Sequence, residues 1–400
     1  MTSDFLIIGA GIVGLSVARE LQRRFPDASI TILEKEKATG LHASGRNSGV
    51  LHAGFYYTAD SLKARFTREG NARLKAFCRE RGLPINECGK LVIARNEAEI
   101  ETLYELEKRG KTNGVDVRIV DETEAAAIDP NVRTCRYALH SPTTATVDPK
   151  AVVRALKELV VRRGATLRLK TKYLYRTGLR RIMTDRGAFE ASTVINCAGL
   201  YADKIAKQFG FGERYTIIPF KGVYLKYGGD DRPVVTNVYP VPKLENPFLG
   251  VHYTVTVDGG IKIGPTAIPA FWRENYKGFA NFSLDDLAEI LWYEAKLFIT
   301  NRFGFRSLAF EEFRKYSKRH LASLARGMVR EIDTTRFDRW STPGIRAQLL
   351  DTRTLELVQD FVVEGDERSV HVLNAVSPAF TCSFPFAEWV VQKYVAGDKG

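Results

Sequence analysis

The chain has 400 residues, 44% hydrophobic and 26% charged, the balance of a globular protein of roughly two domains. Its formal net charge of +12 admits nucleic acid, an anionic lipid surface or an anionic substrate as a partner. Five scattered cysteines without a CxxC pair argue against a disulfide framework or a structural metal, and no apolar run approaches the ~20 residues that cross a bilayer. Met1 to Asp4 form no basic leader, so the expected location is cytoplasmic.

Phe5-Leu6-Ile7-Ile8 reads as a buried strand, and Gly9-Ala10-Gly11-Ile12-Val13-Gly14 follows at once. Helical spacing then takes over at Leu15, Ala18, Leu21 and Gln22, and a second strand, Ile30 to Leu33, ends on Glu34 and Lys35. Strand, GxGxxG, helix, strand and acid together make a dinucleotide-binding unit. The glycines allow a tight turn and close approach of a pyrophosphate to the helix start at Ile12 and Val13, where free N–H groups and the dipole favour anions. Glu34 is placed to accept hydrogen bonds from ribose hydroxyls. NAD and FAD both use such a unit, and the unit alone leaves that choice open.

His42 to Tyr57, HASGRNSGVLHAGFYY, fits no regular pattern: it holds small residues and two imidazoles around Arg46, with no acid. Backbone this permissive approaches a ligand closely. A helix is expected from about Ser61 to Arg81, then a strand from Gly89 to Ala94. Asp148-Pro149 begins another helix, with Asp as N-cap and Pro at the first helical position. A strand near Leu167 to Tyr173 and a strand running into the small turn Ala198-Gly199 return to the nucleotide unit.

From Tyr215 the texture changes to alternating strands. His252, Thr254 and Thr256 share one face, and Asp258-Gly259-Gly260 is a hairpin loop leading into Ile261 to Gly264. A sheet with one polar face suits a wall over a substrate. Leu284 to Met328 is helical in texture and rich in aromatics, and residues 301 to 330 hold eight Lys or Arg against two Glu. That segment reads as a solvated helix face or as a basic surface for anionic lipid. No nucleic-acid motif accompanies the charge. Val370 to Thr381 is a last strand turning into a helix.

These features resemble the D-amino-acid-oxidase-like flavoprotein superfamily and, within it, the L-2-hydroxyglutarate dehydrogenase/oxidase family. The resemblance covers essentially the whole chain. It rests on Arg46 to Tyr57, PFKGVYL (Pro219 to Leu225), YPVPKLENPFLGVHYT (Tyr239 to Thr254), IGPTA (Ile263 to Ala267), WRENY (Trp272 to Tyr276), GIRAQ (Gly344 to Gln348) and HVLNAVSPAFT (His371 to Thr381). Lys221, Thr266 and Leu373 depart from the family pattern, where Arg, Asn and a polar residue are usual.

The resemblance implies an α/β fold: a Rossmann-like FAD domain (1–80, 148–212, 342–400) interleaved with an α+β substrate domain (81–147, 213–341) carrying a mixed or antiparallel sheet. It implies noncovalent FAD along Gly9, Gly11, Ile12, Val13, Gly14, Glu34, Lys35, Ser44, Gly45, Arg46, Asn47, Ser48, Gly49, Tyr173, Ala198, Gly199, Ser377, Pro378, Ala379 and Thr381. A covalent bond to His52 is the alternative. The implied reaction oxidises L-2-hydroxyglutarate to 2-oxoglutarate and passes electrons to quinone or O₂.

Such a reaction needs a base for the hydroxyl proton and cations for two carboxylates. A neutral imidazole suits the first, and His52 and His252 are the candidates. Lys221, Arg273 and Arg346 are the candidate cations, with Thr266, Tyr56 and Tyr57 as further substrate contacts. The basic 301–330 segment gives an expected peripheral contact with an anionic membrane on the inner face of the cell membrane. Rival readings are an amine or amino-acid oxidase for glycine, sarcosine or a D-amino acid, and a flavin-bearing nucleic-acid-binding protein.

Overall fold

A computed structural model describes residues 2–178, 180–242 and 250–397. The middle of the Tyr239 to Thr254 block, residues 243–249, lies outside the described residues. The strand Thr2–Ile8 pairs in parallel with Ile30–Leu33 on one side and with Gly187–Asn196 on the other. Thr166–Arg168 extends the sheet beyond Ile30–Leu33. On the far side Gly187–Asn196 is long enough to serve two partners. Its first half meets Arg181–Thr184, and its second half meets Ser369–Asn374 in parallel.

Parallel strands are joined by crossovers that cover the sheet, so their side chains are apolar on both faces. All four residues of Ile30–Leu33 are buried accordingly. The helices Ile12–Arg24, Leu62–Glu80, Pro149–Arg162 and Ala379–Val390 share one apolar cluster with these strands, through Leu15, Leu21, Phe66, Leu74, Leu156 and Phe386 among others. Two helix starts follow the expected chemistry: Asp148 accepts from the Lys150 N–H with Pro149 at the first position, and Ser61 accepts from the Ala64 N–H.

A second eight-stranded sheet runs in the order Phe337–Trp340, Leu225–Tyr227, Ile261–Gly264, His252–Val255, Asn237–Pro240, Lys90–Ile93, Tyr137–Ser141, Arg118–Asp121. Its register sorts the side chains into two faces. Thr254 stands opposite Lys262, and His252 opposite Gly264. Val238 stands opposite Tyr253, so Tyr239 joins the His252 face, and Asn237 pairs in register with Lys90. One face therefore carries Lys90, Asn237, Tyr239, His252, Thr254 and Lys262. The other carries Leu91, Ile93, Val238, Tyr253, Val255, Ile261 and Ile263, packed on Leu321, Ala325 and Met328.

A three-stranded sheet places Tyr215–Gly222 between Ile268–Pro269 and Gly344–Asp351. It pairs a strand from the segment assigned to the substrate domain with one from the segment assigned to the FAD domain. The expected helical stretch after Leu284 is three helices, Leu284–Thr300, Phe305–Arg314 and Lys318–Arg326. Asn301, Phe303 and Gly304 adopt positive φ and end the first helix, and Ser317 caps the third. Among the described residues no helix is long and apolar enough to cross a membrane.

Candidate active site

A cavity of about 1040 Å³ opens where the first sheet, the polar face of the second and the three-stranded sheet converge. That is at the upper end of the range for ligand pockets. Its first part is the nucleotide unit. Gly9, Gly11, Ile12 and Val13 line it, and the helix begins at Ile12 with Gly11, which has no side chain to cap it, at the N-cap. Gly9 sits at φ +105°, and a Cβ there would meet the Cys197 carbonyl oxygen at 2.5 Å. Close approach of the two βα turns thus requires glycine at that position.

Glu34 also lines the cavity; one carboxylate oxygen accepts from the Ala10 N–H at 3.0 Å and the other from Glu36 N–H at 3.0 Å. Ser44 Oγ accepts from Ile12 N–H at 2.9 Å, which ties the small-residue segment to the helix start. Lys35, Ser44, Arg46, Asn47, Ser48, Tyr173, Ala198, Gly199, Ser377, Pro378, Ala379 and Thr381 all line the same cavity. Gly14, Gly45 and Gly49 do not. Each instead permits backbone packing: a Cβ would fall 2.0 Å from Gly9 O, 2.1 Å from Gly40 O and 2.4 Å from Val147 O respectively. A channel bounded by a helix start, a buried carboxylate and three small-residue turns fits a dinucleotide with a flat ring system.

Segments far apart in the sequence clasp the nucleotide end. Lys35 donates to Glu36 at 2.9 Å and also bonds Glu274. His42 bonds Glu36 at 3.0 Å and the Tyr276 hydroxyl at 2.8 Å, and Tyr201 donates to Glu274 at 2.9 Å. Glu36, His42 and Glu274 have ligand-type atoms within 4.8 Å of one another, and the Lys35 ammonium bonded to both carboxylates supplies the positive charge there.

The other end of the cavity is lined by His52, Tyr224, Tyr239, His252, Thr266 and Arg346. The His252 ring stacks on Tyr239 at 3.7 Å and 15°. Its Nδ1 lies 2.8 Å from the Gly250 carbonyl, which can only accept, so Nδ1 carries the proton and Nε2 keeps its lone pair. His52 has a buried Nδ1 with no hydrogen-bond partner among the described residues. Burial, then the charges of Lys90, His252 and Arg346, push the His52 imidazolium well below the usual histidine range. Burial also holds His252 down to about 3; the Gly250 hydrogen bond opposes this, and Lys90, Lys262 and Lys315 add to it. Both imidazoles are therefore neutral, and the charged groups acting most strongly on them are cations.

Lys262 donates to the Ser48 carbonyl at 2.9 Å and lies 4.7 Å over the Tyr224 ring, with burial bringing its ammonium down to about 8. Lys90 is 0% exposed, and its Nζ, 4.0 Å over Tyr239, has no hydrogen-bond partner among the described residues.

Four residues expected to meet substrate stand elsewhere. Arg273 is 0% exposed and makes a bidentate pair with Asp203 at 2.6 and 2.9 Å, with Leu200 O as a further acceptor. It is a structural ion pair, because both Nη groups donate to carboxylates and a carbonyl inside the protein. Strand alternation sends Phe220 and Gly222 to the cavity and Lys221 away from it, to Asn275 Oδ1 at 3.1 Å. Tyr56 and Tyr57 do not line the cavity either; Tyr56 packs on Phe55 at 4.3 Å and Tyr57 lies beside Lys63. Tyr224 and Tyr239 line the cavity and were missed, as were Lys90 and Lys262, which do not line it but act on its histidines from behind. A lysine opening the otherwise apolar run Lys90-Leu91-Val92-Ile93 was the one local signal for Lys90.

The model of the family described as FAD dependent oxidoreductase matches residues 4–393. L-2-hydroxyglutarate dehydrogenase of Escherichia coli (strain K12) is 34% identical over 396 residues, covering 98% of this chain and 92% of the relative. The protein of that name from Indibacter alkaliphilus is 36% identical, covering 98% and 100%. The mitochondrial one of Homo sapiens is 34% identical, covering 98% and 88%. Among solved structures, L-alpha-glycerophosphate oxidase from Mycoplasma pneumoniae with FAD bound superposes with a TM-score of 0.77 at 20% identity, covering 98% and 94%. Glycine oxidase from Geobacillus kaustophilus gives 0.70 at 18%, covering 100% and 96%.

Proposed function

The chain belongs to the FAD-dependent oxidoreductase family and, within it, to the L-2-hydroxyglutarate dehydrogenases, and from that premise we propose that it oxidises L-2-hydroxyglutarate to 2-oxoglutarate. The observation that carries this reading is a pair of neutral imidazoles set among buried cations at one end of a cofactor-sized cavity. FAD, when bound noncovalently along the lining residues from Gly9 to Thr381, supplies the hydride acceptor. Arg346 offers a planar fork to one substrate carboxylate, and Thr266, whose hydroxyl donates to the Lys221 carbonyl and accepts from the Val223 N–H, lines the same cavity. His252 Nε2, bare because Nδ1 is committed to Gly250, takes the hydroxyl proton. His52 is the second imidazole of the site and holds the substrate oxygen or the cofactor ring in place.

Adding L-2-hydroxyglutarate to the holoenzyme under nitrogen should bleach the flavin within the mixing time of a spectrophotometer, and the D enantiomer should leave it yellow. Bleaching by glycine, sarcosine or a D-amino acid in place of the hydroxy acid would move the chain to the amine oxidases.

Electrons leave, in this reading, to a membrane quinone. The support is the stretch of chain 271–326, which carries both exposed apolar and basic groups: Phe279 is 84% exposed and Phe303 and Phe313 are each 68% exposed. Arg302, Arg306, Arg314, Lys318 and Arg319 lie in the same stretch of chain. Apolar side chains that enter the headgroup region beside cations are the chemistry of an interfacial surface on anionic lipid. The holoenzyme should float with phosphatidylserine-containing vesicles at low salt and stay at the bottom with phosphatidylcholine alone. A protein that fails to float with the anionic vesicles does not dock there.

A further inference from the structure

We propose that Lys90 is the charge-compensating residue of the site: its buried amine takes up a proton when a dicarboxylate enters, so that substrate binding and proton binding are one event. This rests on the dicarboxylate reading above. Lys90 begins the strand Lys90–Ile93, and its register with Asn237 puts the side chain on the same sheet face as Tyr239, His252, Thr254 and Lys262. It stands one ring behind the cavity. Its Nζ is 4.0 Å over Tyr239, which lines the cavity and stacks on His252.

A charged ammonium with no hydrogen-bond partner and no exposure is among the costliest groups a protein can bury. The groups facing Lys90 offer little relief. Tyr239, Tyr56 and Phe55 present rings, with centroids 4.0, 5.2 and 5.6 Å away. His52 and His252 are neutral, and Cys88, two residues before it, is a thiol that burial keeps protonated. Lys262 and Arg346 add positive charge to the same end of the site. Burial, opposed by Cys88, brings the Lys90 ammonium down to about 7, so the unliganded enzyme above that pH holds it mostly as the amine.

Two carboxylates arriving in this dry region reverse the balance. They stabilise the ammonium and lift its pKa, and the proton comes from solvent. The same field raises the imidazoles, which makes His252 a better proton acceptor with substrate present than without it. The sign follows from linkage: a group whose pKa is higher in the complex favours binding at low pH, and the gain fades as pH rises above about 7. Affinity should then fall about tenfold per pH unit, until the pKa of the complex is passed.

The test is calorimetry on the holoenzyme with 2-oxoglutarate at pH 8, in buffers of different ionisation enthalpy. Proton uptake in the wild type should exceed that in Lys90→Met by close to one per protein, what remains in the variant being the share of Lys262, whose ammonium burial brings down to about 8, and the variant's affinity should depend less steeply on pH between 7 and 9. Lys90→Arg should bind the dicarboxylate with no more uptake than Lys90→Met, since guanidinium stays protonated throughout. Flavin absorbance reports binding independently. If 2-oxoglutarate perturbs the flavin but the wild type takes up no proton, or Lys90→Met takes up as many, the role of Lys90 is wrong and the dicarboxylate reading stands. If no dicarboxylate perturbs the flavin, both fall.

Discussion

Replacing His252 with alanine is expected to lower kcat by roughly 10²- to 10⁴-fold, the contribution of a positioned acid–base group. The flavin should be retained, because among the described residues no bond runs from His252 to the nucleotide end of the cavity; its Nδ1 partner is Gly250 and its ring stacks on Tyr239. KM for the hydroxy acid should change much less than kcat, since the carboxylates are held by cations. The pH profile supplies a second signature. Burial keeps the His252 imidazole neutral down to about 3 in the unliganded enzyme. Wild-type kcat/KM, which reports the free enzyme, should therefore stay level between pH 7 and 5 instead of falling through the ordinary histidine value of about 6.5. The unfolded chain does take up those protons near 6.5, so acid lowers stability below that pH even while the site remains neutral. A His252→Ala enzyme turning over within threefold of wild type, beside an inactive His52→Ala, would pass the proton to His52.

The contrast between these two histidines shows what a sequence can carry. Gly9, Gly11, Glu34 and the turns at Ala198-Gly199 and Ser377 to Thr381 were legible because each is a local solution to a local problem: a turn, a helix start, a close approach. His252 was legible because alternation within one strand put it opposite Tyr253, on the polar face. Lys90 was not. Its character depends on pairing with Asn237, 147 positions later, and on Tyr239 arriving over its ammonium from the neighbouring strand. The misplacement of Lys221 has the same origin in reverse. The residue lies in a block that does line the cavity, but the pleat turns Phe220 and Gly222 inward and Lys221 out. A block match gives the backbone's place and leaves the direction of each side chain to the register.

Arg273→Ala is expected to destabilise the protein by about 3–5 kcal/mol, the cost of stripping one partner from a buried ion pair. Arg273 and Asp203 are both 0% exposed, so the substitution leaves a carboxylate inside the protein whose remaining partners among the described residues are the Ile217 N–H at 3.1 Å and the Thr216 hydroxyl at 3.4 Å. Burial opposes the guanidinium charge, but Asp203 first, then Glu289 and Asp286, hold its pKa above the ordinary arginine value. Those partners belong to the helix Ala202–Lys207 and the helix Leu284–Thr300, so Arg273 pins the loop after Ile268–Pro269 to two other elements at once. Arg273→Lys should recover only part of the loss, because a point charge cannot reproduce a bidentate fork. Urea titration of the flavin-loaded protein reads the stability, and the KM of the folded fraction separates the roles. A structural pair leaves KM within about twofold while the midpoint drops, as expected for a site that Arg273 does not line. A substrate clamp would do the opposite, raising KM by the hundredfold or more that ~3 kcal/mol implies while leaving the midpoint in place.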